Sequence, residues 1–189
     1  TIGLWRKEPS TATYWWCSQS FTIKTLSLSA YMLNLNKAIR LCRATGISAE
    51  QLENLAYSVG LDGKINDTVI SLLFTAIYFR QKYNTTLDDA LVLAGAGISQ
   101  FAGSADFSHF DQIFNNPVLS GEWFSADGSK IDLSPEATDD VVARDSLLRG
   151  LSVTRSELHQ LGLIAGLISV EKTQLPLSLA SISALYRLS

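Results

Sequence analysis

Residues 83–124 read YNTTLDDALVLAGAGISQFAGSADFSHFDQIFNNPVLSGEWF, and they are the most informative part of the chain. Near the start of this stretch, Thr86 is of a residue type that caps helices, and the apolar run of a helix over 87–94 follows it. Small residues then lead into an aromatic segment in which Asn-Asn-Pro at 115–117 supplies turn chemistry. The pattern predicts a capped helix followed by an ordered connection that aromatic side chains hold in place.

Composition places the chain among proteins with a packed core. Of its 189 residues, 47% are hydrophobic and 17% are charged, which fits one domain or a piece of a larger one. The net charge of -3 argues against a basic nucleic-acid surface. Cys17 and Cys42 have no metal-binding spacing, and we predict buried thiols. The sequence contains no basic-then-apolar pattern typical of a signal peptide, and no apolar run approaches the ~20 residues of a membrane span. We expect it to be a piece excised from a longer protein.

A repeated pattern predicts mostly helices. In three places a helix end is followed by a short turn, a hydroxyl cap and a new amphipathic helix. Ser48 with Gln51, and Thr154 with Glu157, have the spacing of capping boxes. Since one helical hairpin cannot bury its own apolar face, we predict irregular stacked helical hairpins or an orthogonal bundle, an all-α fold. The predicted helices cover 29–45, 48–59, 67–83, 87–94, 134–150, 154–170 and 178 onward.

Three features qualify this prediction. Residues 1–28 are the least informative part, and the two-residue spacing from Phe21 to Leu28 suggests an extended segment. We therefore divide the chain into a poorly assigned segment, 1–28, and a helical domain, 29–189. The turn at 126–129 predicts a short β-hairpin near 123–133. Residues 69–79 are apolar almost all round, which predicts a buried central helix.

No pattern in the chain predicts an active site. Asp88 and Asp89 are neighbours on a helix, so their side chains point about 100° apart, and a role at the helix dipole explains them better than a catalytic pair. Gly95-Ala96-Gly97 follows a helix and does not match a dinucleotide fingerprint. Lys37, Arg40 and Arg43 form a basic stripe that we interpret as a solvated face. We predict no catalytic, cofactor-binding or metal-binding residues, and no cofactor.

Three segments resemble a known family. LNLNKAIRLCRATGIS at 33–48, YNTTLDDALVLAGAGISQF at 83–101 and FDQIFNNPVLSGEWF at 110–124 resemble the A subunit of bacterial insecticidal Tc toxins. The third segment is the most specific, with Ser120 as a mild departure from the usual Asn. The resemblance covers roughly residues 26–189. The residues on the family pattern F-D-x-x-F-N-x-P-x-L-x-G-x-x-F are Phe110, Asp111, Phe114, Asn115, Pro117, Leu119, Gly121 and Phe124.

The resemblance implies a function without an active site. Such A subunits are homopentamers in which a mostly helical outer shell surrounds a translocation channel. A pH change opens the shell, the channel enters the host membrane, and an enzyme carried by the B and C components is delivered. The matched segments belong to the shell, so we expect a structural shell fragment of a secreted or cell-surface toxin. Its partners would be the other protomers, with the B–C component and the host membrane contacted elsewhere in the full chain, and no nucleic acid.

Two other functions stay open on the sequence alone. A free-standing helical-repeat module that binds another protein would show the same capped hairpins. An enzyme has no support from nucleophile, metal or phosphate-loop spacing. His109 and His159 are the only histidines, and because histidine changes charge near pH 5–6 they are candidates for a pH response of the intact subunit.

Overall fold

The structure is a computed structural model, and it describes residues 4–7, 14–17, 28–59, 63–102, 107–117, 122–138 and 140–189. The chain divides into two compact units, Thr1–Asn36 and Lys37–Ser189. The elements in chain order are β1 (Leu4–Lys7), β2 (Tyr14–Cys17), α1 (Leu28–Thr45), α2 (Ala49–Val59), α3 (Asp67–Tyr83), α4 (Leu87–Ala94), α5 (His109–Phe114), β3 (Lys130–Asp132), α6 (Val141–Leu151), α7 (Arg155–Ile164), β4 (Gln174–Pro176) and α8 (Leu179–Leu188).

The first unit contains a two-stranded antiparallel sheet and the start of α1. Strands β1 and β2 pair with Leu4 opposite Cys17 and Lys7 opposite Tyr14. Most of the predicted strand near 21–28 lies outside the described residues, and Leu28 is already the first residue of α1. The mostly helical fold class is confirmed, with short antiparallel pairs as its only sheets in the described part of the chain.

The predicted helix caps are confirmed. The Ser48 hydroxyl accepts a hydrogen bond from the Gln51 amide at 3.0 Å, and the Gln51 side chain accepts one from the Ser48 amide at 3.1 Å. Thr154 and Glu157 form the second capping box. Each such bond satisfies a backbone N–H that a helix end leaves unpaired. Side chains that cap four further helices belong to Asn66, Thr86, Ser108 and Ser178.

Helix α3 is less buried than its sequence predicts. Leu73 and Ala76 are fully buried where α3 packs against α4 and α2. On the opposite side, however, Phe74 and Tyr78 are each more than half exposed. The prediction of a helix buried all round is therefore wrong for this face, because the helices that pack on α3 cover one side of it.

A short antiparallel pair does form with residues of the predicted hairpin near 123–133, but the partner strand differs from the local one. Strand β3 pairs antiparallel with β4, so that Ile131 lies opposite Leu175, rather than with residues 123–124. The turn at Asp127 does form, since its carboxylate accepts a hydrogen bond from the Ser129 amide at 2.8 Å. The Gly128 amide then donates to the Leu177 carbonyl, which directs the chain toward the distant strand.

Helix α6 begins later than the Ser-Pro-Glu signal at 134–136 predicts. The buried Arg144 guanidinium donates to the carbonyls of Asp132 and Ala137 at 2.9 and 2.8 Å. These bonds hold the preceding residues in a turn, so the first helical residue is Val141 rather than a residue near Pro135. A long-range side-chain contact thus overrides a local start signal.

Helix α7 ends earlier than predicted, at Ile164 instead of near Val170. Gly166 has a φ of +66°, in the left-handed region that favours glycine and ends helices. Gly162 allows close packing inside the helix, since a Cβ there would lie 3.0 Å from the Ile168 side chain. Gly166 forms the turn after the helix.

Two apolar cores support the second unit. One lies among α2, α3 and α4 and includes Leu52, Leu73 and Ala90. The other lies among α5 to α8 with β3 and β4, and includes Phe114 and Ile182. Helix α4 contributes to both, because Ala90 packs in the first and Val92 in the second. None of the helices in the described ranges has the length and hydropathy required to cross a membrane.

Candidate functional site

The aromatic residues of the third resembling segment form one cluster. Phe110 and Phe114, on α5, have ring centroids 4.9 Å apart, and Phe124 lies 5.8 and 5.3 Å from them. All three side chains are buried. Aromatic pairs at these separations add to the stability that comes from burying their area. The sequence predicts a connection that aromatic side chains hold in place, and the packing of these three rings confirms it.

Asn115 fixes the chain around that cluster. Its buried side-chain carbonyl accepts the Phe124 amide at 2.8 Å, and its Nδ2 donates to the Phe124 carbonyl at 3.0 Å. Nδ2 also donates to the Asp111 carboxylate at 2.8 Å. A side-chain amide here replaces a strand partner for the Phe124 backbone, which burial would otherwise leave unpaired.

Helix α6 closes over the same cluster. The Arg149 guanidinium donates to the carbonyls of Phe114 and Pro117. Gly150 lies against the Phe114 ring so closely that a side chain there would overlap the ring. The Asn116–Pro117 peptide bond is cis. Two residues of the family pattern, Leu119 and Gly121, lie outside the residues that the structure describes.

A second polar cluster, the Asp89 network, joins α4, α5 and α8. Asp89 Oδ1 accepts the Tyr186 hydroxyl at 2.7 Å and lies 3.0 Å from His109 Nε2. Its Oδ2 accepts the Thr86 hydroxyl at 2.7 Å. The His109 and Tyr186 rings meet edge to face, with centroids 5.9 Å apart. The structure therefore brings His109, which looked isolated in the sequence, next to one of the two adjacent aspartates.

The surroundings of Asp89 favour its charged form. Burial alone would raise the pKa of this carboxyl, but hydrogen bonds from Thr86 and Tyr186 and the nearby imidazole of His109 outweigh burial and lower it. The pKa of Tyr186 is raised by burial and by its bond to this carboxylate. Tyr186 therefore stays a neutral donor. The arrangement is suited to holding three helices together, and the helix-dipole role expected for Asp89 is only part of its function.

His159 is placed elsewhere in the same unit. Its Nδ1 lies 3.2 Å from the Leu133 carbonyl, next to the β3 strand. The two histidines therefore belong to different contacts. The Asp89 network is not predictable from the sequence, because no local spacing connects residues that are 20 and 97 positions apart.

These features define a class of structure, a helix-rich building block of capped helical hairpins pinned by buried aromatic and amide side chains. Among solved structures, this chain is similar to the cryo-EM structure of TcdA4 from Morganella morganii, a Tc toxin A subunit. The TM-score is 0.68 and the sequence identity is 27%. The similarity covers 84% of this chain and 7% of TcdA4. No family model and no curated protein matches the chain. The predicted resemblance to Tc toxin A subunits is confirmed at this level.

Replacing Asn115 tests the first cluster. Asn115→Ala should lower the free energy of unfolding by about 3 kcal/mol, because it leaves the buried N–H and C=O of Phe124 without partners. Asn36→Ala, at an exposed position on α1, is the control and should change stability by less than about 0.5 kcal/mol. Urea unfolding followed by circular dichroism measures both. Equal stability of the two variants would show that the Asn115 bonds do not hold the connection.

Replacing Asp89 tests the second cluster through pH. Asp89→Asn should cost about 1–2 kcal/mol near neutral pH, since the donors lose a charged acceptor. Because folding lowers the pKa of Asp89, the stabilisation by its charged carboxylate is complete above the ordinary aspartate pKa of 3.8. This stabilisation is lost as pH falls through the folded-state pKa of Asp89. The stability difference between wild type and variant should therefore narrow in acid.

Asp88→Asn provides the matched control for this experiment. It removes the same charge one residue earlier and should show only the smaller dipole effect of about 0.3–1 kcal/mol. Other carboxyl groups with lowered pKa values, such as Asp132 and Glu157, are present in all variants. Their pH-dependent contributions to stability therefore cancel when the variants are compared. A stability difference for Asp89→Asn that stays constant between neutral and acidic pH would contradict this description.

Proposed function

We propose that this chain is a structural piece of the helical shell of a Tc toxin A subunit. In this proposal the shell encloses a translocation channel until a pH change triggers membrane insertion. The observation that carries the proposal is the similarity to TcdA4, a TM-score of 0.68 over 84% of this chain. Because the chain spans only 7% of TcdA4, the activity of the whole protein is part of the proposal rather than a property of this piece.

The distribution of exposed apolar side chains supports a piece that packs against neighbours. Along α1, Tyr31, Met32, Leu33 and Ile39 are each more than 40% exposed. Within the second unit, Phe74 and Tyr78 on α3 are also more than half exposed. Scattered exposed apolar residues are ordinary, but runs along a helix are typical of surfaces that another element covers.

The remaining features of the proposal follow from the family. The partners are other protomers of a homopentamer, and the B–C component and the host membrane are contacted through other parts of the full chain. The protein is secreted or displayed at the bacterial surface and acts on host cells. We propose no enzymatic activity and no cofactor, and the eight family-pattern residues from Phe110 to Phe124 have a structural role. A contribution of His109 and His159 to shell opening stays a prediction.

The size of the native protein tests this proposal. An antibody raised against the chain should detect, on a denaturing gel of the source organism, a polypeptide many times larger than 20.6 kDa. Affinity purification under native conditions followed by mass photometry should then give five times that polypeptide mass. A preabsorbed antibody is the control for specific detection.

A native polypeptide of about the same size as the chain would contradict the proposal. It would leave no room for a channel or for receptor-binding regions. The free-standing helical-repeat binding module would then be the better interpretation of the same capped hairpins.

A further inference from the structure

An open cleft in the second unit lies outside the clusters described above, apart from one shared residue. It has a volume of about 920 Å³ and is lined by α2, α4, the segment 96–102 and the start of α5. This volume is in the range of sites that hold a ligand or several side chains of a peptide. The cleft does not depend on the similarity to Tc toxins, so it is a separate property of the chain.

The charged side chains that line the cleft are acidic. Glu50, Glu53 and Asp88 line it, and no lysine or arginine is among its lining residues in the described part of the chain. Glu50 and Glu53 are three residues apart on α2 and therefore lie on the same face of that helix. A surface of this kind favours a cationic partner and disfavours an acidic one.

Aromatic side chains and hydrogen-bonding groups accompany the carboxylates. Tyr57 and Phe101 line the cleft and are each more than half exposed. Exposed rings beside carboxylates are suited to a guanidinium, which stacks on aromatic faces while its N–H groups bond to oxygens. The amide side chains of Gln51 and Asn54 also line the cleft and are suited to a peptide backbone.

His109 adds an independent observation, an unpaired ring nitrogen at a residue that lines the cleft. It lines the cleft, its side chain is only 9% exposed, and its Nδ1 is buried without a hydrogen-bond partner among the described residues. With Nε2 bonded to the Asp89 carboxylate, Nδ1 is the ring nitrogen that has no partner. Buried polar atoms are nearly always paired, so the hydrogen bonding of this cleft-lining residue is incomplete.

We propose that this cleft binds a partner polypeptide through an arginine side chain flanked by apolar residues. The guanidinium lies among Glu50, Glu53 and Asp88, and an apolar neighbour packs on Tyr57 and Phe101. Arginine fits better than lysine because its planar group offers five donors to a set of acceptors.

A capped peptide, Ac-Ala-Leu-Arg-Leu-Ala-NH2, tests the proposal against the same peptide with citrulline, which keeps the shape and loses the charge. Nitrogen-15 NMR of the 189-residue chain should show shifts concentrated in α2 and in 96–102 on adding the arginine peptide. The citrulline peptide should bind at least about tenfold more weakly, a difference of about 1.4 kcal/mol.

Charge-matched variants locate the binding. Glu50→Gln with Glu53→Gln should weaken the arginine peptide at least about tenfold. Glu136→Gln with Glu171→Gln removes the same charge at exposed positions that do not line the cleft, and should leave binding unchanged. Circular dichroism confirms that both double variants are folded.

Three outcomes would overturn the proposal. These are no shifts at millimolar arginine peptide, equal binding of the citrulline peptide, or equal loss in both double variants. Equal binding of the citrulline peptide would identify an apolar groove without charge selection. None of these outcomes bears on the mass of the native polypeptide, so the shell proposal is tested separately.

Discussion

The side chain of Asn115 is the contact on which the C-terminal part of the structure depends. By bonding both backbone groups of Phe124, it returns the chain to α5 and closes the phenylalanine cluster. Helix α6 can then dock, because Gly150 lies on the Phe114 ring and Arg149 bonds to the carbonyls beside it. One side-chain amide group therefore supplies the hydrogen bonds that a neighbouring strand would otherwise make, at a place where the chain has no regular secondary structure.

A second constraint joins this part to the helices before it. Helix α4 places Ala90 in one core and Val92 in the other, so it is shared between them. The Asp89 carboxylate then ties α4 to α5 through His109 and to α8 through Tyr186. Because a charged acceptor holds these donors, the connection is specific in geometry as well as favourable in energy. The stability of the second unit thus depends on contacts between residues far apart in sequence.

Features that depend on residues three or four positions apart are predictable from the sequence. The caps at Ser48, Thr86 and Thr154 are formed by such local hydrogen bonds, and their prediction is confirmed. Two predictions failed because of contacts between residues further apart: β3 pairs with β4, and the bonds of Arg144 delay the start of α6. Tyr186 lies 97 residues from Asp89, so no spacing rule could have joined them. The sequence placed Phe110, Phe114 and Phe124 in one ordered segment, and their rings do pack together, but it did not show that Asn115 bonds to the Phe124 backbone.

A cryo-EM map of the native assembly, purified from the source organism, would show whether this chain is part of a toxin shell. Under the shell proposal, helices α4 to α8 should fit as one body into the outer wall around a central channel, with the Asn115–Phe124 contact intact. A map in which these helices line the channel itself, or belong to a particle without a channel, would contradict it.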